Sequence, residues 1–437
     1  MKRDKPQLLV ANSKAKIYSL PYLEAAGMKC GKFFRLAPKE LIRLPRESRL
    51  FILPDRLPVG YDSDTNGFVV LDKGTLTKKN ERCFAVSAFI SPGFTVTYNS
   101  SYRELKKAAV LPLFSYAAVA FYKGEFYVAA LRVDREPRHD PRFIDIDIVR
   151  EKSAELKKIF SHNRLITHLE KCALTYGCPG AQNFFLSRYE GPLPVSPYCN
   201  ASCRGCISYQ AEKKPRETQP RIKFIPTAEE VSEVAIFHMQ HVDDPVVSFG
   251  QGCEGEPLIV AGVIEQAIRL IRKNTRKGII NMNTNASKPR ILAKLFDAGL
   301  DSIRVSLNSA RKQYYTRYYK PRGYGFEDVA ESIRMAKQRK AFVSLNYLTM
   351  PGFTDRIDEF AALKKFIETL RIDMIQWRNL NFDPLRYFDE LKVAVGDSEL
   401  LGIREVIKSI KNSFPDIMTG YYNPSKLKMR RGLTEKS

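Results

Sequence analysis

Cys199, Cys203 and Cys206 stand in CxxxCxxC spacing within Cys199-Asn-Ala-Ser-Cys203-Arg-Gly-Cys206. Spacing this short lets three thiolates converge on one centre, and soft thiolates select zinc or iron–sulfur clusters. A four-iron cluster ordinarily takes four protein thiolates. With three supplied, one iron stays open to an outside ligand, and an open position is what separates a catalytic metal site from a closed structural one. The rival is a zinc site completed by His238 and His241, an HxxH pair downstream. Their distance from Cys206 far exceeds zinc-finger spacing, and they fall in an amphipathic helical stretch. The Asn, Ser and Gly residues between the cysteines make a polar loop rather than an apolar core.

The elements that must position these thiols are βα units. From Leu193 onward short apolar runs alternate with amphipathic stretches, which predicts a parallel sheet. The expected strands are Leu193–Ser196, Val246–Phe249, Ile279–Asn283, Ile303–Leu307, Phe342–Asn346 and Met374–Trp377. The first intervening helix opens with Thr227 and Glu230 in capping-box spacing. Later helices show inward faces at Ile259, Val263, Ala267 and Leu270, at Phe326, Val329, Ala330 and Ile333, and at Phe360, Leu363, Ile367 and Leu370. The class is α/β, a partial (β/α)6 TIM-type barrel over residues 186–395. A mixed, strand-rich α+β accessory domain precedes it over 1–185, and a C-terminal helix and basic tail follow over 396–437. The accessory part has strands at Phe68–Leu71, Ala85–Ile90 and Phe94–Tyr98. Ala117–Tyr122 and Phe126–Val133 form a hairpin around Lys123-Gly124-Glu125, and a helix spans Glu151–Leu169. Barrels of this kind gather functional groups at the C-terminal ends of their strands, and the cysteine loop directly follows the first.

CxxxCxxC at the end of a first barrel strand resembles the radical S-adenosylmethionine (radical SAM) superfamily, and the chain is similar to that superfamily's barrel from about Pro194 to Pro384. The resemblance implies one [4Fe-4S] cluster on Cys199, Cys203 and Cys206, with S-adenosyl-L-methionine chelating the open iron. One electron then yields a 5′-deoxyadenosyl radical that abstracts hydrogen from a substrate. The loop Gly250-Gln-Gly-Cys-Glu-Gly255-Glu256-Pro257 resembles the family's Gly-Gly-Glu-Pro loop, which implies that Gly255 and Glu256 hold the cofactor ammonium. Asn283 and Asn285, which period two puts on one side of a strand, are similar to its Thr-Thr-Asn segment. Ser306 and Asn308 are similar to its Val-Ser-Leu-Asp strand end, and Arg322 to an arginine that pairs with the cofactor carboxylate. Asn346, Arg378 and Asn379 complete a polar mouth. Each residue also has a plainer reading: a Gly-rich loop is often just a turn, Asn and Ser are ordinary turn formers, and Arg322 is one surface arginine among many. The chain departs from the family in two places. Gly205 replaces the aromatic residue common before the third cysteine, and Cys253 lies within the Gly-rich loop, where it could donate a hydrogen atom or bind something, with a small packing residue the favoured reading. Cys172 and Cys178 could hold part of an auxiliary cluster, but only Cys30, Cys83 and Cys253 remain to complete it, so one cluster is expected.

Composition sets the outer bounds. Hydrophobic residues make up 44% and charged residues 27% of the 437, as in an ordinary globular protein. Eight cysteines in a chain with no secretory signal argue for metal or catalytic use over disulfides and for a cytoplasmic location. The most apolar run, Ala108–Tyr122, contains Pro112 and Ser115 and falls short of a bilayer span, so no membrane partner is expected. Lysine and arginine outnumber aspartate and glutamate 71 to 48, a net +23, which attracts polyanions. The basic residues are dispersed except for Lys426-Leu-Lys-Met-Arg-Arg431, so nucleic acid is possible but not favoured. The partners implied are an unidentified substrate, with a peptide, protein or cofactor precursor favoured, and a low-potential donor such as ferredoxin or flavodoxin. The alternatives are an RNA-modifying radical SAM enzyme and a non-catalytic iron–sulfur redox sensor.

Overall fold

The computed structural model describes residues 5–73, 81–211, 214–393 and 399–429. The chain divides into two compact units: Met1–Val133 with Thr349–Ala362 and Arg378–Asn412, and Asp134–Leu348 with Leu363–Trp377 and Ser413–Ser437.

The first unit is built on antiparallel strands. Gln7–Ala11 lies between Ile17–Glu24 and Val119–Tyr122, and the latter turns back through Lys123 and Gly124 into Glu125–Val128. Gly124 sits at φ +79°, a conformation that favours glycine, which fixes the tight hairpin there. Leu9, Ala11, Val86, Ala88, Val119 and Val128 alternate inward to form its core. Asn379 belongs to this unit. Its amide accepts from Val96 N and donates to Phe94 O, each at 2.9 Å, so it braces a strand and is not part of a polar mouth.

The second unit carries the sheet that matters for chemistry. Seven strands follow one another in chain order as a half-barrel: Glu190–Pro192, Val246–Phe249, Ile279–Thr284, Ser302–Leu307, Phe342–Thr349, Met374–Asn379 and Met418–Gly420. Their α-helices fall between them as βα units require, and the registers are parallel, for example Asn281 opposite Ser302 and Ser306 opposite Asn346. The first strand lies earlier than the sequence suggests. Its ladder ends with Leu193 N donating to Ser248 O, because Pro192 and Pro194 have no N–H and the next two amides, Val195 and Ser196, donate to the Glu254 carboxylate. The seventh strand was not anticipated; three residues, Met-Thr-Gly, carry too little pattern.

Thr227 and Glu230 do form a capping box at the start of Ala228–His241. The helix Ala261–Asn274 buries Ile264, Ala267, Ile268 and Ile271, sharing only Ala267 with the expected face. Ile259 is taken up in the short 3-10 turn Pro257–Val260, which rotates the helix that follows. The single helix expected over Glu151–Leu169 is two, Ile146–Ile159 and Arg164–Leu174. Asn163 caps the second by accepting from Leu165 N and Ile166 N. Of the basic tail, Lys428 pairs with Glu136 at 2.7 Å, Lys426 donates to Arg276 O and Met429 is buried, while Arg430 and Arg431 lie outside the described residues. Among the described residues no helix is long and apolar enough to cross a membrane.

Inside the strands the side chains lie in layers. Val246, Ile279, Phe342, Met374 and Met429 close the N-terminal end. Beyond them lies a polar layer. Asn281 donates to Ser248 Oγ and Asn283 Oδ1, Ser302 donates to Asn281 Oδ1, Arg304 to Gln376 Oε1, and Gln376 to Asn423 Oδ1. Such a layer fixes register, since each buried amide has found a partner.

Candidate functional site

The cysteine loop leaves the first strand and is clamped from two sides. Ser202 N and Arg204 N donate to the carbonyls of Tyr319 and Tyr318, the unfilled acceptors at the C-terminal end of the helix Lys312–Tyr319. From the other side Asn285 Nδ2 donates to Asn200 Oδ1 at 2.8 Å, and Asn200 Nδ2 donates to Ser287 Oγ at 2.9 Å. Cys206 N closes the loop on Cys203 O. All three cysteines are free and half-buried.

Their electrostatics call for a cation. Burial, together with the Glu256 carboxylate, pushes the Cys199 thiol up to about 11. Burial and the two neighbouring thiols push Cys203 well above its ordinary value. Thiols held up in this way become ligands only when a positive centre offsets these costs, as a bound metal does. The protein supplies part of that charge through Arg221, whose Nη2 lies 3.7 Å from Cys206 Sγ while Nε donates to Ser208 Oγ at 3.0 Å. Arg221 had no signal in the sequence, being one basic residue among 71.

The Gly-rich loop packs directly on this segment. Gly255 N donates to Ser196 O at 2.6 Å and Glu256 N to Tyr198 O at 2.8 Å. A Cβ on Gly255 would stand 1.9 Å from the Tyr198 carbonyl oxygen, so the residue must be glycine for the two loops to meet. Glu254, which the sequence reading passed over, organises the junction. Its oxygens accept from Val195, Ser196, Gly250 and Gln251 N–H groups at 2.6 to 3.0 Å, while burial pushes its carboxyl up to about 7. Glu256 is also buried and pushed up to about 7 by desolvation. It accepts from Asn285 N at 2.8 Å, from Leu258 N at 3.2 Å and from the Thr284 hydroxyl. A carboxylate has about four acceptor positions, so room for a further donor remains.

The remaining expected residues divide. Asn283 faces inward but donates to Gly250 O at 3.1 Å and accepts from Asn281, which makes it a brace of the Gly-rich loop. Asn285 braces the cysteine loop. Ser306 is half-buried opposite Asn346. Asn308 is buried and donates to Tyr314 O. Arg322 is exposed and holds the cysteine loop itself: Nη2 donates to Cys199 O at 2.7 Å and its backbone N to Asn200 O. Asn346 Oδ1 is buried with no hydrogen-bond partner among the described residues, and a buried acceptor left unmatched marks a place where a ligand donor belongs. Tyr315 and Tyr324, joined hydroxyl to hydroxyl at 3.2 Å, wall the site beside Tyr319 and feel the charges of Cys203 and Glu256.

The histidine rival does not assemble. His238 is buried against Phe184 with Nε2 3.3 Å from Tyr189 O, and His241 bonds Phe237 O. Burial holds His238 down to about 4, well below its unfolded value near 6.5. A depressed folded value means the unfolded chain binds the proton first, so this stability is present above pH 6.5 and lost as pH falls toward 4. The span corresponds to on the order of 3 kcal/mol. Because Glu254 and Glu256 shift the other way, the effect is read as a difference: denaturant titrations should show wild type losing stability relative to His238→Gln as pH falls from 6.5 toward 4.

A second group of thiols does assemble. Cys172, Cys253 and His168 offer ligand atoms all within 4.8 Å of one another. The sequence separation of Cys172 and Cys253 concealed this meeting.

Residues 193–366 match the sequence model of the Radical SAM superfamily. No curated protein matches the chain significantly. Similar solved structures include a radical SAM methyltransferase from Sphaerobacter thermophilus, with 12% identity, a TM-score of 0.38 and coverage of 52% of this chain and 64% of that one. Another is methylornithine synthase (15%, 0.37, 64% and 76%). A third is the FeFe-hydrogenase maturase HydG from Carboxydothermus hydrogenoformans (12%, 0.38, 66% and 73%). The chain thus spans less than two thirds of the methyltransferase's length, and overlays this loose leave the family match to carry the assignment. With the half-barrel and the cysteine loop at its first strand, that match identifies residues 193–366 as a radical SAM domain.

Proposed function

We propose that Cys199, Cys203 and Cys206 hold a single [4Fe-4S] cluster and that S-adenosylmethionine binds its open iron, seated against the Gly250–Glu256 loop. What supports this is the direct seating of the Gly255-Glu256 backbone on the segment entering the cysteine loop, with the buried Glu256 carboxylate near enough to push up the Cys199 thiol. When bound, the cluster supplies the electron that cleaves the sulfonium carbon–sulfur bond. The protein's own groups do the rest. Glu256 accepts from the cofactor ammonium in a charge-assisted bond, and the buried Asn346 Oδ1 accepts from a ligand donor beside Ser306. Asn283, Asn285 and Arg322 hold the two loops in place, while Ser306 and Asn308 face the bound S-adenosylmethionine. The tyrosine wall keeps water from a reactive intermediate.

Arg221 is the positioning residue whose loss is easiest to read. Arg221→Gln removes the one guanidinium donating to Cys206 and should weaken cluster retention about 10- to 100-fold, the usual cost of an outer-shell ligand partner. Iron per chain after challenge with a chelator measures it, with folding checked by circular dichroism.

The substrate proposed is a peptide, protein or cofactor precursor, with RNA second. Lys426 and Lys428, the described core of the one dense basic cluster, are already engaged within the protein, and RNA binding would have to show a steep fall in affinity with salt. A ferredoxin- or flavodoxin-type donor and a reducing cytoplasm complete the proposal. Anaerobic reconstitution with iron and sulfide, followed by reduction in the presence of S-adenosylmethionine, tests the reading. Methionine and 5′-deoxyadenosine support it, and a reduced cluster without cleavage favours a redox sensor.

A further inference from the structure

The Gly-rich loop contributes Cys253 to a second group of ligand-type side chains, distinct from the three cluster cysteines. His168 and Cys172 lie one helical turn apart on Arg164–Leu174, so both project from one face. Cys253 comes from the middle of the loop between Gly250 and Gly255. Cys172 Sγ stands 3.4 Å from His168 Nε2, and all three ligand atoms lie within 4.8 Å of each other. Cys178 stands at the start of the next helix, its N–H donating to Cys172 O at 3.0 Å, and it lies within electrostatic reach of both Cys172 and Cys253. Gln219 completes the surroundings, its side-chain amide hydrogen-bonding to Cys172 and Cys178.

The spacing discriminates between metals. A tetrahedral ion with metal–sulfur bonds of about 2.3 Å and metal–nitrogen bonds of about 2.0 Å sets S···N separations near 3.5 Å and S···S separations near 3.8 Å. The 3.4 Å between Cys172 and His168 and the 4.8 Å limit on the whole group fit one ion. Thiolates on different irons of a cubane stand farther apart. A histidine with soft thiolates, in a group largely closed to solvent, is the donor set of structural zinc.

We propose that His168, Cys172 and Cys253 bind one zinc ion and that this ion pins the Gly-rich loop to the helix Arg164–Leu174. Its role is structural. It fixes the loop that carries Glu254, whose carboxylate organises the entry to the cysteine loop, and it removes Cys253 as a hydrogen-atom donor because its sulfur is spent as a ligand. It does not depend on the radical SAM reading, since its residues are distinct from the three cluster cysteines.

The test is elemental analysis of the full-length protein purified anaerobically. One zinc per chain is expected beside the iron. His168→Ala and Cys253→Ser should each lower zinc about tenfold or more after chelator challenge while iron on the other loop persists. Cys199→Ala should do the reverse, losing iron and keeping zinc. Cobalt(II) loaded into the wild-type protein should give thiolate-to-metal charge-transfer absorption, which provides a readout even where a variant fails to fold. Absence of zinc together with no cobalt–thiolate band overturns the proposal, as does zinc content unchanged in both variants. Loss of iron rather than zinc on Cys253→Ser overturns it in favour of a second iron–sulfur centre.

Discussion

Cys203→Ala should strip the protein of its iron–sulfur cluster and reduce S-adenosylmethionine cleavage to the background of the uncatalysed reaction. Two thiols cannot hold a four-iron cluster with one further iron open, because two irons would then be exposed. Nothing else in the site can carry the electron, so the loss is the whole of the catalysis, at least about 10⁶-fold on the scale of enzymatic acceleration. Cys203 is the most informative of the three. Its neighbours Ser202 and Arg204 are tied through their backbone N–H groups to Tyr319 and Tyr318, so the loop keeps its shape when the sulfur is removed. Iron and acid-labile sulfide per chain, with 5′-deoxyadenosine production, measure the effect. A variant that keeps its cluster would show that Cys203 is not a ligand.

Gly255→Ala should have the second largest effect, although it removes no ligand. The new methyl would lie 1.9 Å from Tyr198 O, with the Tyr198 carbonyl carbon at 2.5 Å. Both are backbone atoms, which cannot rotate away as a side chain can. The loop must separate from the Ser196–Tyr198 segment, breaking the Gly255 N–Ser196 O and Glu256 N–Tyr198 O bonds and leaving Glu254 and Glu256 misplaced. A clash with backbone in a buried site costs on the order of 3–5 kcal/mol. Thermal unfolding should shift markedly downward, and cluster incorporation should fail although Cys199, Cys203 and Cys206 are intact. Gly262→Ala is the control. It lies at the start of Ala261–Asn274 with no atom within 4 Å of the added methyl. It should be neutral or stabilising by up to about 1 kcal/mol.

The barrel was legible where strands are apolar runs bounded by turns. Val246–Phe249, Ile279–Thr284 and Phe342–Thr349 are such runs, buried on both faces of a parallel sheet. The first strand was displaced because its backbone amides have a competitor that no local pattern reveals, the Glu254 carboxylate donated by a later loop. The last, Met418–Gly420, is too short to show a period. Site residues were legible as types before they were legible as roles. The bonds of Asn283, Asn285 and Arg322 run to Gly250, Asn200 and Cys199, so these side chains hold the protein's own loops. His168 and Cys172 share a helix face at i, i+4, but the approach of Cys253 to them, like the placing of Arg221 and Glu254, is tertiary, and residue spacing carries no trace of such meetings.

The most direct measurement is the yield of 5′-deoxyadenosine and methionine from anaerobically reconstituted, chemically reduced full-length protein given S-adenosylmethionine. The account predicts both products in equal amount, dependent on the cluster and absent from Cys203→Ala. Reduced protein that holds its full complement of iron on these three cysteines and leaves S-adenosylmethionine intact would contradict it.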